Sequence, residues 1–355
     1  MSSERQSSRT MRVGVIGLGA WGKNLLREFD RTAGSTVAIA CDADASARER
    51  AQSQYPDLTV TGRVDDVFRS DVDAVVVATP PVAHYELASA AIAAGKDVFV
   101  EKPLVLDVAS GERLAAQAEA AGRILMVGHI MEYHPAVDWL KRYIAEGGLG
   151  SIHYLYSTRV NLGQLRDNEN AMWSLAPHDI SMISYLLDDY PRRATAVGHA
   201  YLRPGIEDVV FMTLEFSANR MAHVHASWLD PHKVRSLTIV GQKRMAVFSD
   251  SEPTEKIKIF DKGVDVSLNY DTYAEYLTLR SGDVHIPVVD NAQPLAVECR
   301  HFIERLRDRQ RPRSDGYDGL RVLRVLAAAQ KSLDAGGIPV EIPAMTGPQT
   351  GEKKA

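Results

Sequence analysis

A β-branched run, Val13 to Ile16, breaks at Gly17 and passes through Gly19 and Gly22 before Leu25, Leu26 and Phe29 resume at helical spacing. A strand that hands over to a helix through G-x-G-x-x-G leaves few folds open. Gly17 permits the tight turn, Gly19 lets the backbone approach a pyrophosphate, and Gly22 lets the helix pack closely on the strand. Ala20 and Trp21 complete the same cofactor-facing turn. The helix N-terminus beyond it offers free N–H groups and a partial positive charge to phosphates. The second apolar run, STVAIACDAD, ends at Asp42, 20 residues past Gly22, where a carboxylate can accept from an adenosine ribose. The pattern predicts NAD. Asp42 disfavours the extra phosphate of NADP, although Arg48 nearby is a residue type that accommodates one.

The alternation continues. VDAVVVATPPVAH reads as a fully apolar strand stopping at Thr79 and the Pro80-Pro81 pair; residues 84–94 read as a helix, Val98–Val100 as a strand, 107–121 as a helix and RILMVGH as a strand. Strands and helices of these lengths predict a parallel sheet covered on both faces, a doubly wound α/β Rossmann domain over residues 11–130. Thr79, Glu101, Lys102 and Gly128 then fall at carboxyl strand ends on the rim of the glycine turn. Thr79, Pro80, His84, Glu101 and Lys102 are the cofactor contacts expected there. Lys102 projects toward the nicotinamide, where its N–H donors hold a substrate hydroxyl against the carbon that receives hydride. Lys102-Pro103 is a candidate cis peptide.

The remaining classes are bounded by composition. With 355 residues there is room for about two domains. Acidic and basic residues are interspersed around a net charge of −5, with no basic block, which speaks against nucleic acid. Cys41 and Cys299 have no ligand or disulfide spacing, so a reducing cytoplasm is expected. The polar first ten residues, MSSERQSSRT, read as a disordered tail over 1–10 and lack a signal peptide's apolar stretch; 344–355 reads as a flexible tail. No run reaches the roughly 18 apolar residues of a membrane span. Runs at 151–160, 194–202, 209–216, 220–227 and 234–240 alternate as half-exposed strands do. His223 and His225 share one strand face, but no third ligand has metal spacing, and no metal is expected.

VEKPL after this core, preceded by ATPPVAHYELASAAIAAGKDV, resembles the glucose-fructose oxidoreductase and inositol dehydrogenase family, Gfo/Idh/MocA. The resemblance runs over nearly the whole chain, through VGHIMEYHP at 127–135, SLTIVGQKRMAVF at 236–248, and the closing PLAVECRHFIERL and GYDGLRVLRVLAAAQKSL. It implies a second α/β domain over 131–343, whose large, mainly antiparallel open-faced sheet packs in a homodimer or homotetramer, with substrate between that domain and the cofactor. It also implies an active site of an EKP lysine with an aspartate and a histidine four residues apart on a helix. Lys102 matches the lysine, and His178 in WSLAPHDISMISYLL matches the histidine, at the opening of a helix. The aspartate position holds Ser174. An imidazole titrating near about pH 6.5 is a suitable general base.

The segment STRVNLGQLRDNENAMWSLAPHD is rich in donors and acceptors. Arg159, Asn161, Gln164, Arg166, Asn170 and Trp173, with Ser174 and His178, are the expected substrate contacts. Its R-x-N-L-G and W-x-x-A-P-H-D elements resemble oxidases of nucleotide-linked amino sugars, such as UDP-N-acetylglucosamine at C3. An inositol or free-sugar dehydrogenase is the alternative within the family. A non-catalytic NAD(H)-sensing regulator is the alternative outside it.

Overall fold

The computed structural model describes residues 9–163, 169–266 and 277–345. The chain folds as two compact units, one comprising the chain up to Tyr133 with Ala292–Leu323, the other His134–Asn291 with the chain from Arg324 onward.

The first unit begins with β1 (Met11–Ile16), α1 (Gly22–Arg31), β2 (Ser35–Cys41), α2 (Ala45–Gln54), β3 (Thr59–Thr61) and α3 (Val64–Arg69). It continues with β4 (Ala74–Val77), α4 (His84–Ala93), β5 (Asp97–Val100), α5 (Val108–Ala120) and β6 (Leu125–Val127). The six strands pair in the order β3-β2-β1-β4-β5-β6, all parallel. That is the doubly wound Rossmann arrangement the alternation predicts. Strands β4, β5 and β6 are buried along their whole length, as β-branched and aliphatic runs covered on both faces should be. Helix α2, strand β3 and helix α3 are additions that the sequence reading does not contain. β3 has only three residues, too few for a hydrophobic period to show.

The second unit opens with α6 (Pro135–Ala145), β7 (Ile152–Val160) and α7 (Ala171–Leu187). Strands β8 (Arg193–His199), β9 (Val209–Glu215), β10 (Met221–Ser227), β11 (Val234–Gly241), β12 (Met245–Ser249), β13 (Ile257–Val266) and β14 (Leu277–His285) follow. They form a nine-stranded sheet in the order β14-β13-β12-β11-β7-β10-β9-β8-β15, β15 being Val340–Glu341. Only the β7–β10 pair is parallel. Alternation sorts the faces: Ala222, Val224, Ala226, Val210, Met212, Leu214, Leu237 and Ile239 are buried, while Tyr154, Tyr156, Phe211 and Met221 of the other parity are exposed. Helix α7 packs on β7, β9 and β10.

After β14 come α8 (Pro294–Asp308) and α9 (Gly316–Asp334). The expected second domain runs unbroken from 131 to 343. In the structure its start is close to the observed break at Tyr133, but α8 belongs to the first unit. The cause is aromatic packing. Phe302 of α8 meets Phe29 of α1 at 5.9 Å and Phe99 of β5 at 5.7 Å between ring centroids, and Phe29 meets Phe99 at 5.8 Å, all edge to face. Leu295, Cys299, Ile303 and Leu306 join the same core.

Truncating a fully buried phenylalanine costs about 3–5 kcal/mol, because lost transfer energy and a residual cavity add. Phe302→Ala is therefore expected to lower the unfolding free energy of the first unit by that order, seen as a fall in its denaturant midpoint, and an unchanged midpoint would refute the three-ring account.

Candidate active site

The glycine turn meets its steric requirements one residue at a time. Gly17 lies at φ 97°, and a Cβ there would come within 2.6 Å of the Ala78 carbonyl oxygen. A Cβ on Gly22 would collide with the Gly17 carbonyl, so helix and turn close only with glycine at both places. Gly19 has nothing within 4 Å of a Cβ position, which leaves its backbone open to a ligand. Trp21 precedes the first residue of α1 and makes no side-chain cap; in the first turn Lys23 N donates to the Gly19 carbonyl at 3.3 Å and Asn24 N to the Trp21 carbonyl at 2.8 Å, so the turn is closed by backbone while the helix dipole still favours an anion there. The Asp42 carboxylate is fixed by Leu18 N at 2.6 Å and Asp44 N at 2.8 Å. Arg48 is turned to the backbone, donating to the Asp42 and Ala43 carbonyls, each at 2.8 Å. These residues fit a dinucleotide, with the glycine turn at its pyrophosphate and Asp42 at its ribose.

The rim beyond the turn holds the charges at the end of β5. Glu101 N donates to the Val77 carbonyl and Gly128 N to the Val100 carbonyl, both within 2.9 Å, so the ends of β4, β5 and β6 stay in register. Glu101 Oε1 accepts from the Trp21 indole N–H, and Oε2 accepts from Lys102 N at 3.2 Å. A Cβ on Gly128 would stand 3.1 Å from the Glu101 carboxyl, so the glycine leaves room for that group. Burial pushes the Glu101 carboxyl up to about 7, against the opposing pull of the Trp21 hydrogen bond and the Lys102 charge. Lys102-Pro103 is cis, as expected. Thr79 is half-buried and Pro80 exposed at the end of β4.

His84 is a correction. It is fully buried, with Nδ1 2.8 Å from the Pro103 carbonyl and Nε2 2.9 Å from the Thr79 carbonyl. Burial holds its ring below the usual histidine range. It braces the segments that carry Thr79 and Lys102, and neither nitrogen is left for a cofactor.

Behind the rim stand groups that sequence reasoning missed. Glu298 of α8 is completely buried, and neither carboxyl oxygen has a hydrogen-bond partner among the described residues. Burial, then the Glu101 charge, holds its proton well above the ordinary range. His129, directly after Gly128, is 1% exposed with both ring nitrogens unpartnered among the described residues. Glu132 and Asp318 are buried beside them. A signal existed for Glu298: Leu295, Glu298 and Phe302 share one helix face at i, i+3, i+7 spacing, which places a carboxyl in an apolar stripe.

In the second unit, His178 lies within α7 and is half-buried; it does not open the helix. Pro177 suggests a helix start because proline suits the first turn. The actual cap is Asn170, whose side chain accepts from Trp173 N at 3.1 Å. Asn170 also donates to Glu207 at 2.8 Å and to Gln330 at 3.0 Å, and is buried; it is a structural cap, not a substrate contact. The Trp173 indole donates to the same Gln330 oxygen at 3.0 Å. Arg159 is a second correction. It is buried in a two-bond ion pair with Asp179, at 2.6 and 3.2 Å, which pins α7 to β7. Ser174 is buried on α7, Asn161 is half-buried just after β7, and Gln164 and Arg166 lie outside the described residues. His223 and His225 do share a face of β10, where His225 stacks on Phe211 at 4.4 Å.

Residues 11–129 match the family model of GFO/IDH/MocA oxidoreductases with an NAD-binding Rossmann fold, and residues 137–247 match the model of the GFO/IDH/MocA C-terminal domain. UDP-N-acetylglucosamine 3-dehydrogenase of Acidithiobacillus ferrooxidans is 26% identical over 92% of this chain and 98% of its own length. Its solved structure has the same fold, with a TM-score of 0.77 at 24% identity, covering 92% of this chain and 98% of that one. A protein of known structure from Magnetospirillum magnetotacticum MS-1 is 30% identical, with a TM-score of 0.75, over 90% of this chain and 99% of that one. The 2,7-anhydro-N-acetylneuraminate hydratase of Mediterraneibacter gnavus is 25% identical over 60% of this chain, which spans 60% of that relative's length.

Folding holds the Glu101 proton more tightly than the unfolded chain does, at about 7 against an ordinary 4.5. Its contribution to stability is therefore fully present below about pH 4.5 and is lost as pH rises through about 7. Denaturation of Glu101→Gln at about pH 5 and about pH 8 should show a smaller loss of stability between the two than the parent shows. An equal loss in both would mean that Glu101 titrates normally.

Proposed function

The chain belongs to the Gfo/Idh/MocA oxidoreductase family, and from that premise we propose that it oxidises a secondary alcohol of a sugar by hydride transfer to NAD, the sugar being nucleotide-linked, such as UDP-N-acetylglucosamine reacting at C3. The observation that carries this reading is Lys102 at the carboxyl end of β5, beside Glu101, on the rim that begins at the glycine turn. The similarity to a UDP-N-acetylglucosamine 3-dehydrogenase over 92% of the chain supports the substrate class. Asp42 facing the turn, with Arg48 committed to backbone carbonyls, supports NAD over NADP.

The nicotinamide, when bound, supplies the hydride acceptor. Lys102 binds the hydroxyl oxygen, takes its proton and stabilises negative charge developing there. Glu101, when ionised, favours the ammonium that results. His178 of α7 is the second candidate proton acceptor, imidazole being a side chain suited to general-base work. Ser174, where the family has an aspartate, offers a hydroxyl to the sugar.

Purified protein is assayed with NAD and with NADP against nucleotide sugars, free sugars and inositols, following NADH absorbance and product mass together. Turnover with NAD and a nucleotide-linked N-acetylhexosamine, with product lighter by two hydrogens, is expected. Turnover on inositols alone would reassign the substrate, and a product heavier by water would align the chain with its hydratase relative. Cofactor binding without turnover on any substrate would favour a regulator. Lys102→Met should lose about a hundredfold or more in kcat and His178→Ala about tenfold or more, and retained turnover in both would remove the mechanism.

We also assign a homodimer or homotetramer, built on the sheet face that exposes Tyr154, Tyr156, Phe211 and Met221. Sedimentation velocity should find the oligomer, and Tyr156→Glu with Phe211→Glu should weaken it; a monomeric parent would refute the assignment.

A further inference from the structure

The rim that carries Lys102 is one end of the first unit's parallel sheet. At the other end, where the strands begin, lies a cavity of about 260 Å³. Arg9 stands before β1, Asp73 just before β4, Asp97 at the start of β5, Arg123 shortly before β6 and Arg309 just after α8, and all five line it. Gly95 lines it too, at φ 75° and with nothing within 4 Å of a Cβ position, so that part of the wall is bare backbone.

The acids of this cavity are already satisfied. Asp73 accepts from Arg9 Nη2 on one oxygen and from Arg12 N on the other, both at 2.8 Å. Asp97 accepts from Ile124 N at 2.8 Å and from Arg309 at 2.5 and 3.0 Å. Arg9, Arg123 and Arg309 therefore stand against two carboxylates whose four oxygens are all in use. The charge left over belongs to Arg123, whose exposed guanidinium has no hydrogen bond or ion pair among the described residues. Arg309 also donates to the Gly122 carbonyl at 3.0 Å, which fastens one guanidinium beside the residue before Arg123. Like charges on one wall repel unless an anion lies between them. Arg309 itself adopts φ 56° at the end of α8, a left-handed conformation that glycine or asparagine usually takes. An arginine there is strained, so its side chain is what the position requires.

We propose that this cavity binds a phosphoryl group between the guanidiniums of Arg9, Arg123 and Arg309, as inorganic phosphate or as the head of a small phosphomonoester. Planar guanidinium forks match phosphate oxygens in pairs, and Arg9 spends only one N–H on Asp73. The volume equals the liquid share of about eight or nine water molecules. That admits a phosphoryl group on a short carbon chain and is too small for a dinucleotide. An anion held there joins the segments before β1, before β6 and after α8, all parts of the first unit, and stabilises that unit by mass action. The glycine turn stays open at the opposite end of the sheet, so anion and dinucleotide can be bound together.

The test is isothermal titration of the full-length protein, saturated with NADH so that the glycine turn is occupied, with inorganic phosphate and with glycerol 3-phosphate, each matched in ionic strength by sodium chloride. Saturable one-to-one binding is expected. Arg123→Ala removes an exposed side chain, so it should fold with the parental Tm and weaken binding about tenfold or more. A Kd for the free ion equal to or tighter than that for the ester identifies phosphate as the ligand, and a tighter Kd for the ester identifies a phosphorylated metabolite. Binding that NADH abolishes, or that Arg123→Ala leaves unchanged, overturns the proposal, and so does a heat no greater than that of chloride. The Arg123→Ala comparison is repeated without NADH, so that a protein unable to bind the cofactor still decides the anion site.

Discussion

A carboxyl and an ammonium are placed next to each other at the end of a strand that is buried along its whole length, and the first unit is arranged around that burden. Charge is not left in a low-dielectric interior without partners or a shift in protonation. At Glu101 both remedies operate: the Trp21 indole and the Lys102 amide donate to the carboxyl, and its proton is still held up to about 7. The other end of β5 offers a comparison. Asp97 is buried too, but Ile124 N donates to it at 2.8 Å and Arg309 grips both of its oxygens. The strand thus begins at an acid whose demands are met within the fold and ends at one whose demands are met only in part. The second kind of end is the one that chemistry can use.

The cofactor turn and the rim are not independent devices. Trp21 lies within the glycine turn, yet its N–H reaches the carboxyl at the end of β5. His84 at the start of α4 ties the loop after β4 to Pro103. Gly128 at the end of β6 leaves the volume that the Glu101 carboxyl fills. Four consecutive sheet positions, from the strand of the glycine turn to the strand of Gly128, therefore share one charged group, and moving any one of them moves it. The aromatic trio of Phe29, Phe99 and Phe302 holds α1 and β5 from beneath, so a helix distant in sequence supports both the phosphate turn and the rim.

What the sequence revealed was governed by period and sterics. The glycines, Asp42 and the strand ends were legible because each answers a local demand that one residue type satisfies: positive φ, close approach, or a carboxylate after a strand. Partner choice was not legible. Arg159 and Asn170 have the composition of a sugar site, and both are used inside the protein, one by Asp179 and the other as a helix cap. Nothing in their local sequence separates an arginine that meets a ligand from one that meets an aspartate 20 positions away across a sheet and a helix. The return of α8 to the first unit was hidden for a related reason, since an amphipathic helix shows that it needs a core without showing which one.

The same reasoning bears on Ser174. The family resemblance implies an aspartate one turn before His178, and α7 contains a single acidic residue, Asp179. That carboxylate is buried against the Arg159 guanidinium, where it offsets a charge that would otherwise be costly to bury. No acidic side chain of α7 is therefore left to orient or recharge His178. Carboxyls gather instead in the first unit, where Glu101, Glu132, Glu298 and Asp318 lie around the end of β5 and the residues after β6, and where the protons of Glu101, Glu132 and Glu298 are held above the ordinary range. The buried carboxyls whose protons are held above the ordinary range therefore lie in the first unit, the unit that carries Lys102.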